Sequence, residues 1–225
     1  MRTEVHARDD LGAALARRVA GDLAEAIEAR GRASLAVPGG GTPAPFLRAL
    51  GEAGLDWARV AVTLTDERWV APDHPRSNQR QLAETLFAGR ASAAVFVPLY
   101  AGTVEPEGAI AGIAAALAPL LPLDAAVLGM GADRHTASLF PGSPELDAAL
   151  DPEATPAMAV TAPGQPERRI TLTAPVLAGA RRVYLLVQGA DKRAALDGAL
   201  GLDPRRAPIR AVLDRAAGPI VFYAD

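Results

Sequence analysis

A carboxylate and an imidazole stand two residues apart, Asp133 and His135, inside the turn that runs from Gly129 to Gly142. At that spacing the carboxylate can fix the imidazole's tautomer or hold a substrate. The uncharged imidazole can take a proton from water near neutral pH. The chain has three histidines, and only this one follows a short apolar run, Asp124 to Leu128, that reads as a buried strand ending at the turn. His6, near the N-terminus, and His74, on a polar loop, have no such setting. The pattern points to His135 as a general base assisted by Asp133.

Five further groups have the chemistry to hold an anionic substrate. Pro38-Gly39-Gly40-Gly41-Thr42-Pro43 joins an apolar run to a helix start, so the N–H groups of Gly40, Gly41 and Thr42 form a cradle for phosphate or sugar hydroxyls. No Gly-Lys-Ser/Thr tail follows, so it is not a nucleotide P-loop. Asp66-Glu67-Arg68 offers a carboxylate pair, Asp66 and Glu67, to orient a substrate, beside an Arg68 that can pair with phosphate. Ser77 and Asn78 add a hydroxyl and an amide at a helix start, where Ser77 alone would be an N-cap. Arg169 precedes a strand-like segment next to Arg168, which reads as solvated charge. Lys192 stands in the first turn of a helix, where a cation is disfavoured unless an anion visits.

Other classes are not supported. The turn at Gly129 spells G-x-G-x-x-R and lacks the third glycine of a dinucleotide fingerprint, which counts against a nicotinamide cofactor. There is no G-x-S-x-G elbow and no H-E-x-x-H pair, and the chain contains no cysteine. The three histidines are too scattered for a metal cluster, so no metal or cofactor is expected. A net charge of -3 gives no basic footprint for nucleic acid. The N-terminal residues hold no apolar leader, and the run from Ala109 to Leu123 is too short and too broken by proline to span a bilayer. The expectation is a cytoplasmic protein without membrane or nucleic-acid partners.

The elements that must position these residues alternate along the chain. Apolar runs at 34–37, 60–64, 94–97, 124–128, 183–187 and 220–223 read as strands. Between them lie helices starting at Asp9 or Asp10, at Thr42, at Ser77, near Glu107 and at Asp191. The first carries a stripe of Leu11, Leu15, Val19, Leu23 and Ile27 and stops at Gly31. Residues 66–76 read as a polar loop, and Pro141 to Pro166 as the loosest part of the chain. This alternation predicts one α/β domain, residues 1–225, around a mostly parallel sheet with helices on both faces. Ligands bind such sheets beyond the carboxyl ends of the strands, where every group above falls.

Taken together, Gly39-Gly40-Gly41-Thr42-Pro43, Asp66-Glu67-Arg68, Ser77-Asn78, the 129–142 turn and Arg169-Ile170-Thr171-Leu172-Thr173 resemble the 6-phosphogluconolactonase family. The run His135-Thr136-Ala137-Ser138-Leu139-Phe140-Pro141-Gly142 is the specific part of that likeness. The resemblance implies a three-layer Rossmann-like sheet related to the amino-sugar-phosphate isomerases. It also implies metal-independent hydrolysis of a phosphosugar lactone, with His135 as base; a monomer or weak homodimer is expected. That family usually has glycine where this chain has Arg134, which is awkward at positive φ and is read here as a further substrate contact. Two alternatives remain: an amino-sugar-phosphate deaminase or isomerase, and a non-catalytic sugar-phosphate sensor. The deaminase pattern places a glutamate five residues after the histidine, where this chain has Phe140.

Overall fold

The computed structural model describes all 225 residues. In chain order the elements are β1 (Arg2–Val5), α1 (Arg8–Arg30), β2 (Ala33–Val37), α2 (Ala44–Gly51), β3 (Val60–Leu64), β4 (Asp66–Arg68), α3 (Asn78–Glu84), β5 (Val95–Val97) and α4 (Ile110–Leu117). There follow β6 (Ala125–Gly129), α5 (Leu146–Leu150), β7 (Ala157–Thr161), β8 (Arg168–Leu172), α6 (Ala174–Ala178), β9 (Arg182–Gln188), α7 (Ala190–Asp197), α8 (Ile209–Leu213) and β10 (Ile220–Ala224).

Seven strands form one all-parallel sheet in the order β1-β10-β9-β6-β2-β3-β5. Successive strand residues point to opposite faces, yet β2 is buried at every position and β6 and β10 at all but one. Such strands require cover on both faces, which is why they read as unbroken apolar runs. α1 packs on α2 and over β2, β6 and β10 through Leu11, Leu15, Val19 and Leu23. It ends at Gly31, whose φ of 75° turns the chain left-handed so that its N–H reaches the Ile27 carbonyl at 2.8 Å. No helix is long and apolar enough to cross a membrane.

From β2 the chain builds outward to β3 and β5, then returns to β6 on the other side of β2. The order reverses between β2 and β6, and the crevice beyond their carboxyl ends is where an open α/β sheet takes its ligand.

Several boundaries differ from expectation. Ala7, with no side-chain bond, is the N-cap of α1, and Asp9 and Asp10 lie in its first turn, where they complement the helix dipole. Thr42 sits in a turn and α2 begins at Ala44 with Pro43 as N-cap. The fourth helix opens with a 3-10 turn, Pro106–Ala109. β1 carried no apolar signal because it is a charged edge strand, paired only with β10. The largest departure is a second sheet, β4-β8-β7, which is antiparallel. It draws β4 from the expected polar loop and β7 from the expected loose region. Its inner residues, among them Ile170, Leu172, Ala157 and Ala159, join the same apolar core as the large sheet.

Candidate active site

Four neighbouring strands, β9, β6, β2 and β3, end at one cleft of about 490 Å3. The glycine loop follows β2, the Asp-Glu-Arg segment β3, the histidine turn β6, and the helix carrying Lys192 follows β9. Among the residues proposed from sequence, Gly40, Gly41, Thr42, Asp66, Arg68, Asn78, Asp133, His135, Arg169 and Lys192 line it.

In the histidine turn, His135 Nδ1 lies 2.6 Å from Asp133 Oδ1, and the His135 backbone N–H donates to the same oxygen at 3.2 Å. The bond from the imidazole holds the Asp133 carboxyl below its usual range, so Asp133 stays ionised. A carboxylate can only accept, so in the neutral imidazole Nδ1 carries the proton and Nε2 keeps a free lone pair. Gly131 makes room for this pair: a Cβ there would lie 2.3 Å from two imidazole atoms and 2.4 Å from Asp133 Oδ1. The Phe140 ring covers the imidazole, with centroids 4.4 Å apart. Two residues close to His135 in the turn are left-handed without being glycine, Arg134 at φ 70° and Ala137 at φ 50°. Such conformations cost about 1–2 kcal/mol each and persist only where neighbours hold them.

The small sheet forms the opposite, charged wall. Strand alternation sends Asp66 and Arg68 into the cleft and Glu67 to the other face. On β8 the same alternation aims Arg169 inward and leaves Arg168 outside with Glu107 and Glu145. In the β4–β8 register Arg68 is directly opposite Arg169. Arg169 is almost wholly buried, and burial holds its guanidinium below its usual range, with Arg68 and Arg76 pushing the same way. Its side chain makes no hydrogen bond to protein; the carboxylate within ion-pair range is Asp66, with Oδ2 3.8 Å from Nη1. Arg68 donates to the Arg76 carbonyl at 2.6 Å.

Glu67 is fully buried and does not orient a substrate, contrary to its sequence reading. Its carboxylate accepts from the N–H groups of Arg68, Asn78 and Gln79 at 2.7, 2.8 and 2.7 Å, and from Ser77 Oγ at 3.1 Å. Burial pushes its carboxyl above the usual range while those N–H groups pull it back. The arrangement pins the start of α3 to β4, which sets the position of Asn78.

The glycine loop is fixed from α3. Gln81 accepts from the Gly40 N–H at 2.6 Å and donates back to the Gly40 carbonyl. The Gly40 N–H is therefore engaged, whereas those of Gly41 and Thr42 donate to no protein atom. Asn78 donates to the Asp66 carbonyl at 2.9 Å and packs so close to Gly39 that a Cβ there would lie 2.1 Å from Asn78 Oδ1.

Two expected contacts are not at the cleft. Ser77 is the α3 N-cap, accepting from Arg80 N at 3.1 Å and donating to Glu67, so its hydroxyl is consumed within the fold. Arg134 points away: its Nε donates to the Ala195 carbonyl at 3.1 Å, and its own carbonyl accepts from Ile209 N at 3.2 Å. Conversely, Arg76 and Gln165 line the cleft without having been foreseen. Arg76 bonds Gln165 at 3.0 Å and pairs with Glu167 at 2.9 Å, tying the β7–β8 hairpin to the loop before α3. Nothing in the local sequence marks that contact, which spans 89 residues. No group of three or more His, Asp or Glu side chains is placed to hold a metal.

Residues 6–221 match the family described as glucosamine-6-phosphate isomerases/6-phosphogluconolactonase. A 6-phosphogluconolactonase of Rhizobium meliloti (strain 1021) is 48% identical over 95% of this chain and 93% of its own length. One of Pseudomonas aeruginosa is 46% identical over 93% of this chain and 89% of its own length. The crystal structure of a 6-phosphogluconolactonase from Shewanella baltica OS155 is 38% identical and superposes with a TM-score of 0.96, covering 100% of this chain and 98% of that one. By sequence and by fold, this chain belongs to the family of the glucosamine-6-phosphate isomerases and 6-phosphogluconolactonases.

Proposed function

We propose that the chain hydrolyses 6-phospho-D-glucono-1,5-lactone to 6-phosphogluconate, a step of the oxidative pentose phosphate pathway. The observation that carries this reading is the pairing of two unlike halves in one cleft. One half is an imidazole with a free Nε2 oriented by a carboxylate. The other is a pair of arginines held directly opposite each other, one of them without a hydrogen-bond partner. Like charges opposed across strands destabilise a sheet unless an anion lies between them. A phosphate dianion meets that need, and guanidinium groups match its geometry.

His135 Nε2 takes a proton from water as the water oxygen bonds to the lactone carbonyl carbon. Asp133 stabilises the imidazolium that forms. The tetrahedral intermediate then breaks its bond to the ring oxygen, which receives the proton from His135, and the new carboxylic acid ionises. Arg68, Arg76 and Arg169 bind the phosphate. Lys192 and the free N–H groups of Gly41 and Thr42 serve the sugar and the developing oxyanion, where one donor is worth roughly 3–4 kcal/mol. The reaction so drawn uses no metal. One chain, acting as a single domain of residues 1–225, supplies every group, which suits a cytoplasmic monomer or weak homodimer.

The test is acid release from freshly generated lactone. Rapid release is expected from the wild type, and His135→Ala should lower kcat by about 10²–10⁴-fold with KM little changed. A variant with near-normal kcat removes His135 from the reaction. Ammonia released from an amino-sugar phosphate would favour the deaminase, against which stands an apolar Phe140 ring on the imidazole where that chemistry places a carboxylate. Binding without turnover of either compound would favour a sensor.

A further inference from the structure

The geometry points to Ser138 as a positioning residue that keeps Arg169 available for the substrate's phosphate. The inference rests on the reading above, in which Arg169 binds that phosphate. Arg169 and Asp66 are both buried, carry opposite charges and face the same cleft. Left alone, such a pair closes into a hydrogen-bonded salt bridge, since each otherwise lacks water. Here it stays open, with Arg169 Nη1 3.8 Å from Asp66 Oδ2 and the guanidinium bonded to no protein acceptor.

The cause is visible on the carboxylate. The same oxygen, Asp66 Oδ2, accepts a 2.6 Å hydrogen bond from Ser138 Oγ, and Oδ1 accepts from Thr65 Oγ1 at 3.2 Å. Two hydroxyls thus hold the carboxylate in an orientation that presents no oxygen to Arg169 at bonding distance. Ser138 is itself fixed. It is fully buried, and its N–H donates at 3.1 Å to Thr171 Oγ1, on the residue opposite Asp66 in the β4–β8 register. It does not line the cleft, so it acts through Asp66 and not on the substrate. Without the Ser138 hydroxyl, only the 3.2 Å bond from Thr65 restrains Asp66, and its Oδ2 can turn onto Arg169. The phosphate would then have to break an ion pair before binding.

The experiment compares wild type and Ser138→Ala by KM and kcat for the phosphorylated lactone and by inhibition with inorganic phosphate, which has no sugar to touch Asp66. In Ser138→Ala, KM and the phosphate inhibition constant should both rise roughly tenfold, the scale of one charge-assisted hydrogen bond, with kcat within about threefold. Adding Asp66→Asn to Ser138→Ala should restore phosphate inhibition, because a neutral amide holds the guanidinium far less tightly than a carboxylate does. Unchanged phosphate inhibition in Ser138→Ala overturns the inference, as does a fall in kcat alone or a double variant that stays weak. If Ser138→Ala does not fold, Ser138→Cys keeps the volume with a much weaker donor and is judged by the same criteria. A wild type that phosphate does not inhibit would instead overturn the phosphate-binding reading itself.

Discussion

The two sheets contribute to the cleft in different ways. The seven-stranded sheet offers no polar side chain from its strand interiors, only Leu186 of β9; its chemistry comes from the turns at the strand ends, and the His135–Asp133 pair stands on one of them. The three-stranded sheet uses the strands themselves, with Asp66, Arg68 and Arg169 projecting from β4 and β8 directly into the cleft. Proton transfer needs one imidazole held to a fraction of an ångström, and a turn braced on a rigid apolar sheet supplies that. Anion binding needs several charges at graded positions, and strand alternation supplies them at a two-residue spacing. Damage to the first should therefore appear in kcat, and damage to the second in KM or in stability.

The largest expected effect comes from the turn. Asp133→Asn keeps the shape but lets the amide present an N–H to Nδ1, which places the proton on Nε2 and removes the base. We expect kcat to fall about 10²–10⁴-fold with KM within a few-fold, measured by acid release from the lactone. A loss confined to KM would put Asp133 among the substrate contacts and blur the division between the sheets.

Next is the small sheet's own support. Glu67→Ala leaves the N–H groups of Arg68, Asn78 and Gln79 and the Ser77 hydroxyl without their buried acceptor. The expected loss is roughly 3 kcal/mol, or about 6–12 °C in Tm for a chain of this size, read from thermal or urea unfolding. A loss below about 1 kcal/mol would mean that α3 is held mainly by its apolar contacts.

The same contrast explains what the sequence showed. The large sheet was legible because burial on both faces writes each central strand as an apolar run, as in Leu35 to Val37 and Val183 to Val187. The cleft was legible because glycine, histidine and carboxylate stand at the ends of those runs. Of the small sheet only β8 reads as strand-like; Asp66-Glu67-Arg68 has no apolar alternation and is a strand only through its pairing with β8, about 100 residues away. For the same reason Glu67 was read as a substrate group, since only the strand's alternation turns it from the cleft. Arg134 was read as a contact because sequence gives a residue's charge and not its direction; the partners that turn it away, Ala195 and Ile209, come from distant helices. Gln81 and Arg76 act through long-range bonds that no local pattern announces.

A smaller effect separates strain from bonding at Arg134. Its φ of 70° costs a side-chain-bearing residue about 1 kcal/mol, while its Nε bond to the Ala195 carbonyl offsets part of that. Arg134→Ala keeps the strain and loses the bond, whereas Arg134→Gly loses both. Glycine should therefore be more stable than alanine here by up to about 1 kcal/mol, the reverse of the order in a helix. Equal urea midpoints would show that the turn relaxes out of the left-handed region once the arginine is gone.

The smallest effect is the acid dependence of the Asp133–His135 pair. The carboxyl's ordinary value is 3.8, and the bond from His135 lowers it in the fold. A depressed carboxyl releases its proton more readily when folded, so the unfolded chain binds more protons in the window between the two values. Stability from this group is then complete above its unfolded value and is lost as the pH falls through the folded one. The pair is half-exposed, with Asp133 53% accessible, so solvent screens it and the contribution is a fraction of that of a buried pair. The urea midpoint of wild type should exceed that of Asp133→Asn at pH 5, and the margin should close as the pH falls below about 4. A margin that persisted or grew below about pH 4 would mean that the neutral carboxylic acid is the form the fold prefers. The ionised partner assigned to His135 would then be wrong, and with it the free lone pair on Nε2.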